Sequence, residues 1–291
     1  MPRLSYLMTL TPLETWRIAR NRLPGFSGGP AWTPAELLSS AKHNRGIRFA
    51  ELLLRQEAIL ARVAGWAPLA FAGKRVVEVG CGPLGGFGPL AVFCGASEFL
   101  SAEPEWDADL FYSTAVAERY LRIFHADLVA LYGPRMSFEE FGAALTSRMK
   151  VTRGGFEKAP ISGPVDIVLS QSVVEHVFPL EATLAKLASI QGPATRFIHL
   201  VDFGNHYPTL NPFEGLYEQP AEAYIARRGR AINCLRLPDV VSRFEAAGIK
   251  VRAVPTRDAK ASYRGTIDPW WRARYDDAAL FTQLALIVSP V

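Results

Sequence analysis

Two carboxylates and a run of glycines are the first residues in this chain whose types and spacing suggest chemistry. The stretch Val76-Val77-Glu78-Val79-Gly80-Cys81-Gly82-Pro83-Leu84-Gly85-Gly86-Phe87-Gly88 joins an apolar segment bearing an acid to a glycine-rich loop. Backbone without side chains can approach a nucleotide-like ligand closely. Further on, Glu98-Phe99-Leu100-Ser101-Ala102 ends at Glu103, where an acid can accept hydrogen bonds from ribose hydroxyls. Together the two signals point to an adenosine-containing cofactor. A second group, His176, His199, Asp202 and His206, lies in the C-terminal half. Imidazole and carboxylate groups can take the proton of an attacking hydroxyl. His199 falls inside an apolar run and reads as a core histidine or one supporting the others. Asp202 and His206 follow it in the more polar Val201-Asp202-Phe203-Gly204-Asn205-His206-Tyr207, and His206 is the preferred base.

These residues need elements to position them. Helical spacing is read at Pro12 to Leu23, Pro34 to His43 and Ile47 to Ala64, with a Gly/Pro loop from Pro24 to Pro30. From Lys74 the pattern becomes an alternation of strand and helix, which implies a parallel sheet covered on both faces. Strands are expected at Arg75 to Val79, Glu98 to Ala102, Met149 to Thr152, Val165 to Ser170, Thr195 to Val201, Ile249 to Val254 and Ala279 to Val288. Helices are expected at Asp107 to Leu131, Ser137 to Arg148, Val173 to Ile190 and Pro238 to Ala247. The stretch from Asp202 to Arg236 reads as a polar, proline-containing excursion. In an open α/β sheet ligands bind beyond the carboxyl ends of the strands, where the glycine loop and the His/Asp run both fall.

Composition narrows the class. The chain has 291 residues, 49% hydrophobic and 21% charged, with a formal net charge of +4. That is ordinary globular material, and the mild basic excess fits an anionic substrate better than nucleic acid. Three cysteines, Cys81, Cys94 and Cys234, form no CxxC pair, so neither a disulfide framework nor a zinc knuckle is indicated. The apolar start, Met1 to Leu13, lacks a small-residue cleavage pattern and is not read as a signal peptide. No segment reaches the roughly 20 apolar residues that span a bilayer. A cytoplasmic location is expected, with peripheral membrane contact open and oligomeric state undetermined.

Read jointly, Glu78-x-Gly80-x-Gly82, the acid Glu103 and the run Asp166-Ile167-Val168-Leu169-Ser170-Gln171-Ser172-Val173-Val174-Glu175-His176-Val177 resemble class I S-adenosylmethionine-dependent methyltransferases. The resemblance covers roughly residues 70 to 291. It implies a Rossmann-like, doubly wound, mostly parallel seven-stranded sheet with a reversed last strand, here behind an N-terminal helical cap over residues 1–70. The catalytic domain, 71–291, would carry a helical insertion at 105–150 and a substrate-loop insertion at 202–236. It further implies S-adenosylmethionine as cofactor, with Glu78 ordering the loop or the methionine amino group. Gly80, Cys81 and Gly82 would accommodate the amino-acid part, Glu103 and Pro104 would lie at the ribose, and Ser170, Gln171 and Ser172 would border the cofactor. The chain departs from the pattern at Leu84, the usual third glycine position, and shows no third-strand acid.

The segment from His199 to Gly248 more loosely resembles bacterial methyltransferases of polysaccharide biosynthesis, which favours a sugar, glycan precursor or other small polar metabolite as methyl acceptor. Arg227, Arg228, Arg230 and Arg236 then read either as binders of a carboxylate or phosphate on that acceptor or as a solvated basic face. His206, Asp202 and His176 are the catalytic candidates. Glu175-His176 also reads as a helix cap. Some small-RNA 2′-O-methyltransferases carry a Glu-x-x-Glu-His metal motif at this point, but Ser172 replaces its first acid, and no metal is expected. An RNA 2′-O-methyltransferase and a non-catalytic partner subunit are the alternatives.

Overall fold

The computed structural model describes residues 45–289, apart from 64, 114, 208, 210 and 230. The helices expected at Pro12 to Leu23 and Pro34 to His43 lie outside these residues. The chain forms two compact units, which divide after Ile161. Among the described residues there are seven strands, and the last in the sequence runs antiparallel to its neighbours.

In the N-terminal unit, α1 (Gly46–Leu60) leads to β1 (Arg75–Val79), α2 (Gly88–Phe93), β2 (Glu98–Glu103), α3 (Ala108–Ser113), α4 (Ala115–Tyr132), α5 (Phe138–Arg148) and β3 (Met149–Arg153). Strand β2 lies between β1 and β3 and is parallel to both, so that Ala102 stands beside Val79 on one side and Thr152 on the other. Val76, Val77, Phe99 and Phe124 are fully buried, as expected of apolar residues on strands and helices packed against one core. Phe49 of α1 stacks on Phe124 of α4 at 5.8 Å and meets Phe87 edge-on at 5.2 Å, which ties α1 to the glycine loop. Helix α5 starts where the sequence expects, and a capping box explains why. Glu140 N donates to Ser137 Oγ (3.1 Å), and Ser137 N donates to Glu140 Oε2 (2.7 Å).

The C-terminal unit contains β4 (Val165–Gln171), α6 (Leu180–Ile190), β5 (Gln191–Asp202), α7 (Ala221–Arg228), α8 (Leu237–Ala246), β6 (Arg252–Asp258), α9 (Pro269–Arg272), α10 (Asp277–Phe281) and β7 (Thr282–Val288). Strand β4 pairs with β5 in parallel, and β7 runs antiparallel between β5 and β6. Among the described residues no helix is long and apolar enough to cross a membrane.

Several expectations are corrected here. The helix expected from Val173 begins only at Leu180. Ser172 takes a left-handed backbone (φ 52°), Val174–His176 form a 3-10 turn, and Pro179 sits at the N-cap of α6. Proline brings no N–H to an earlier helix, but its lack costs nothing at a helix start. The last strand begins at Thr282 instead of Ala279, because Asp276 caps α10 by accepting from Ala279 N at 2.8 Å.

The excursion from Asp202 to Arg236 is not simply polar. It folds around its own aromatic core of Phe213, Tyr217 and Tyr224, with Trp271, Leu280 and Phe281 from later in the chain. Arg236 belongs to that core and is 1% exposed. Its Nη1 donates to the Phe203 carbonyl and the Tyr217 hydroxyl, each at 2.9 Å, and its Nε to the Cys234 carbonyl at 3.4 Å. Its guanidinium lies 5.6 Å from the Tyr217 and Trp271 rings. Arg236 is therefore neither a solvated charge nor free to grip an anionic ligand. Arg227 and Arg228 are exposed, Arg228 over the Tyr207 ring at 4.7 Å, and Arg230 lies outside the described residues.

Candidate functional site

Strand β1 delivers its chain into a loop that needs glycine at particular points. Gly80 and Gly82 both take φ +69°, a left-handed conformation that costs a side-chain-bearing residue about 1–2 kcal/mol. Among the described residues, no heavy atom beyond its chain neighbours lies within 4 Å of where a Cβ on Gly82 would stand. Beside it, Glu103 at the tip of β2 accepts from Gly82 N through Oε2 (2.9 Å) and from Glu105 N through Oε1 (3.0 Å). Burial raises the Glu103 carboxyl above the ordinary range, while these two N–H groups pull the other way. Pro104 is exposed in the turn that follows. Cys81 is buried, its thiol donates to the Gly82 carbonyl at 3.4 Å, and burial holds its pKa well above that of a free thiol. It supports the loop without serving as a nucleophile.

The second half of the loop is closed by contacts that the sequence does not reveal. Gly85 (φ +79°) faces the methyl group of Met149, and Gly86 (φ +51°) faces the Glu78 carboxylate and the Cys81 carbonyl, in each case closer than a Cβ would tolerate. Gly88 is wedged against Met149 Sδ and the Phe99 ring. Leu84, which breaks the usual glycine pattern, is buried, and its carbonyl accepts from the Tyr120 hydroxyl at 3.4 Å. Glu78 is 2% exposed, and its Oε2 accepts from Phe87 N at 2.8 Å. Burial pushes its pKa up to about 8, the Phe87 N–H opposes the rise, and the charge of Glu103 adds to it. Of the two roles open to Glu78, ordering the loop is the one carried by a contact.

The open side of Gly82 and the acid next to it test whether an adenosine-bearing donor fits. They do: the side of Gly82 where a Cβ would stand is clear of described residues other than its chain neighbours, beside a carboxylate anchored by two N–H groups. Each carboxylate oxygen keeps acceptor capacity for a ribose hydroxyl.

In the C-terminal unit, β4 ends in Ser170, Gln171 and Ser172. Ser170 is 2% exposed, and its hydroxyl lies 2.7 Å from Nδ1 of the fully buried His199. Burial lowers the His199 pKa to about 3, so that imidazole is neutral and serves the core. Gln171 and Ser172 are half-buried, and Ser172 N donates to the Leu200 carbonyl at 2.9 Å.

The other candidates converge. His176 presents its ring edge-on to that of His206, with centroids 4.7 Å apart. His206, in a left-handed conformation (φ 57°), has Nε2 3.2 Å from the Asp202 carbonyl and 3.7 Å from Glu175 Oε1. Glu175 is 3% exposed, and Oε1 accepts from Asp202 N at 3.2 Å. Burial pushes its pKa up to about 8, with the charge of Asp202 adding and backbone hydrogen bonds opposing. Glu175 does not cap a helix, since none follows before Leu180. Asp202 turns Oδ1 back to accept from Gly204 N at 2.8 Å.

Two residues that the sequence did not mark as functional hold this arrangement. Asn233 N donates to the Glu175 carbonyl (2.7 Å), and its side-chain amide donates to the Val174 carbonyl (2.8 Å), which fixes the 3-10 turn. Asn205 is 1% exposed, and its side chain donates to the Glu214 carbonyl (2.7 Å) and accepts from Tyr207 N (3.0 Å), which locks the turn that carries His206. Asparagine before a histidine is a signal available in the sequence, because its side chain bonds readily to nearby backbone.

No protein-family model matches the sequence, and no curated protein matches it. Among solved structures, the chain is similar to a candidate O-methyltransferase from Nostoc punctiforme at 14% identity and TM-score 0.49, over 94% of this chain and 66% of that one. It spans just under two-thirds of that protein's length. An S-adenosylmethionine-dependent methyltransferase from Mesorhizobium loti matches at 13% identity and TM-score 0.43, over 80% of this chain and 96% of its own. The geranyl diphosphate C-methyltransferase of Streptomyces coelicolor matches at 14% identity and TM-score 0.46, over 90% and 85%. The seven strands, the reversed β7 and the glycine loop after β1 give the chain the Rossmann-like fold of class I S-adenosylmethionine-dependent methyltransferases.

Proposed function

We propose that this chain is an S-adenosylmethionine-dependent methyltransferase that methylates a hydroxyl group of a sugar, a glycan precursor or another small polar metabolite. The observation that carries the reading is the open, left-handed Gly82 beside the anchored Glu103. When bound, S-adenosylmethionine supplies a methyl group on a sulfonium, ready for in-line displacement. Glu103 accepts hydrogen bonds from the ribose hydroxyls, the backbone of Gly80 and Gly82 accommodates the amino-acid part, and Glu78 keeps the loop in shape through Phe87 N.

Methylation of a hydroxyl also needs its proton removed. The cluster of His176, Asp202 and His206 supports an O-linked product, with the His206 imidazole as proton acceptor, held in place by the Asp202 carbonyl and the Asn205 turn. Exposed Arg227 and Arg228 suit an acceptor that carries an anionic group.

Isothermal titration with S-adenosylmethionine and its demethylated product tests the reading. Binding of either, weakened about tenfold or more in Glu103→Ala, is the expected result. Absence of binding to the folded wild-type chain overturns it. Transfer of a labelled methyl group to a panel of sugars and nucleotide sugars then tests the acceptor class.

A further inference from the structure

We propose that Glu175, His176 and His206 form a binding site for a divalent cation that favours imidazole ligands, such as Zn²⁺, Mn²⁺ or Co²⁺. One potential ligand atom from each residue lies within 4.8 Å of the others. Ligand atoms about 2.1 Å from a common ion stand about 3 Å apart, so modest side-chain rotation closes the set. One pair is already near that spacing, with Glu175 Oε1 3.7 Å from His206 Nε2; to bind an ion, this nitrogen would lose its proton and give up its 3.2 Å hydrogen bond to the Asp202 carbonyl.

Two features distinguish this cluster from a chance meeting of polar side chains. First, Glu175 Oε2 is buried with no hydrogen-bond partner among the described residues, although its residue is 3% exposed. A buried carboxylate oxygen without a partner is costly, and a cation held by both oxygens of the Glu175 carboxylate would satisfy it. Second, His176 Nδ1 lies 2.5 Å from the Ala231 carbonyl. A carbonyl only accepts, so Nδ1 carries the proton and Nε2 keeps its lone pair for a ligand bond. Metal-bound histidines are commonly oriented in this way. Glu175 is held in turn by Asp202 N and by Asn233 N on its carbonyl.

Two imidazoles and one carboxylate suit first-row divalent ions better than Ca²⁺, which prefers an all-oxygen shell. Three protein ligands also leave coordination positions open to water or to a substrate oxygen. If the methyltransferase reading holds, on which this last step rests, a bound ion acidifies the acceptor hydroxyl, and His206 acts as a ligand in place of a free base.

The test uses the full chain, freed of metal with a chelator and titrated with Co²⁺ while visible absorption is followed, and with Zn²⁺ by calorimetry. The expected result is one ion per chain, with Co²⁺ bands of a nitrogen-containing site, weakened at least tenfold in Glu175→Gln and in His206→Ala. His125→Gln, in the N-terminal unit, leaves binding unchanged. Far-UV circular dichroism checks that each variant is folded. Should His206→Ala not fold, His176→Gln supplies the same comparison. No binding by the wild-type chain, or binding that survives the His176→Gln/His206→Ala double variant, overturns the proposal. These titrations are run without S-adenosylmethionine, so their failure is separate from failure of the donor site.

Discussion

Replacing Glu78 with glutamine isolates the cost of keeping a carboxyl group beneath the glycine loop. Glutamine retains the shape of the side chain and an oxygen that can still accept from Phe87 N, now 2.8 Å from Glu78 Oε2. Burial pushes the carboxyl from its ordinary 4.5 up to about 8, so the folded chain binds this proton more tightly than the unfolded chain. Stability from this group is therefore fully present below pH 4.5 and is lost as pH rises towards about 8. The difference corresponds to a ceiling of about 5 kcal/mol, at 1.36 kcal/mol per pH unit. Water entry and small movements of the loop reduce it. Urea unfolding of wild type and Glu78→Gln, followed by tryptophan fluorescence in steps from about pH 5 to pH 8.5, reads the effect directly. Glu103 and Glu175 titrate in both proteins, so the difference between the two curves reports mainly Glu78. The expected outcome is a variant that gains on wild type by several kcal/mol as pH rises, with the gain levelling above pH 8. A constant difference across the range would refute the reasoning, because it would mean that the folded chain leaves the carboxyl near its ordinary value.

The two halves of the glycine loop make opposite predictions. Gly82→Ala has open space and costs about 1–2 kcal/mol of stability through its left-handed backbone, but it weakens S-adenosylmethionine binding sharply in calorimetry. Gly86→Ala meets the Glu78 carboxylate and the Cys81 carbonyl and costs about 3 kcal/mol or more in urea unfolding. Equal costs for the two would contradict the division into an open and a packed half. Arg236→Met strips the Phe203 and Cys234 carbonyls and the Tyr217 hydroxyl of their donor and lowers stability by about 2–4 kcal/mol. A change below about 0.5 kcal/mol in the same assay would show that Arg236 is not part of the core.

Most strand segments were legible because short apolar runs bounded by Gly and Pro need no tertiary information, whereas the reversed last strand was implied only by the family resemblance. The acids at 78 and 103 were legible for the same reason: each ends, or nearly ends, such a run. What escaped depends on contacts between residues distant in sequence. The run Gly85-Gly86-Phe87-Gly88 has no local explanation, since Met149 and Phe99 are what crowd it. The segment before Arg236 looked polar because its aromatics, Phe213, Tyr217 and Tyr224, are spaced by loop residues and share neither helical nor strand periodicity. Glu175 looked like a cap since an acid near a presumed helix start is the common case. Only the left-handed Ser172 and the prolyl start of α6 turn it inwards.

The hydrogen bond between Ser170 and His199 also bears on how the strands find one another. These two residues are register partners on β4 and β5, and parallel strands lack a tight hairpin to set their alignment. Sliding β5 by one residue would turn its apolar side chains to the opposite face and separate the buried imidazole from its hydroxyl partner. The pair thus acts as an indexing mark within an apolar sheet. It penalises a misaligned pairing that hydrophobic burial alone would only weakly distinguish from the correct one.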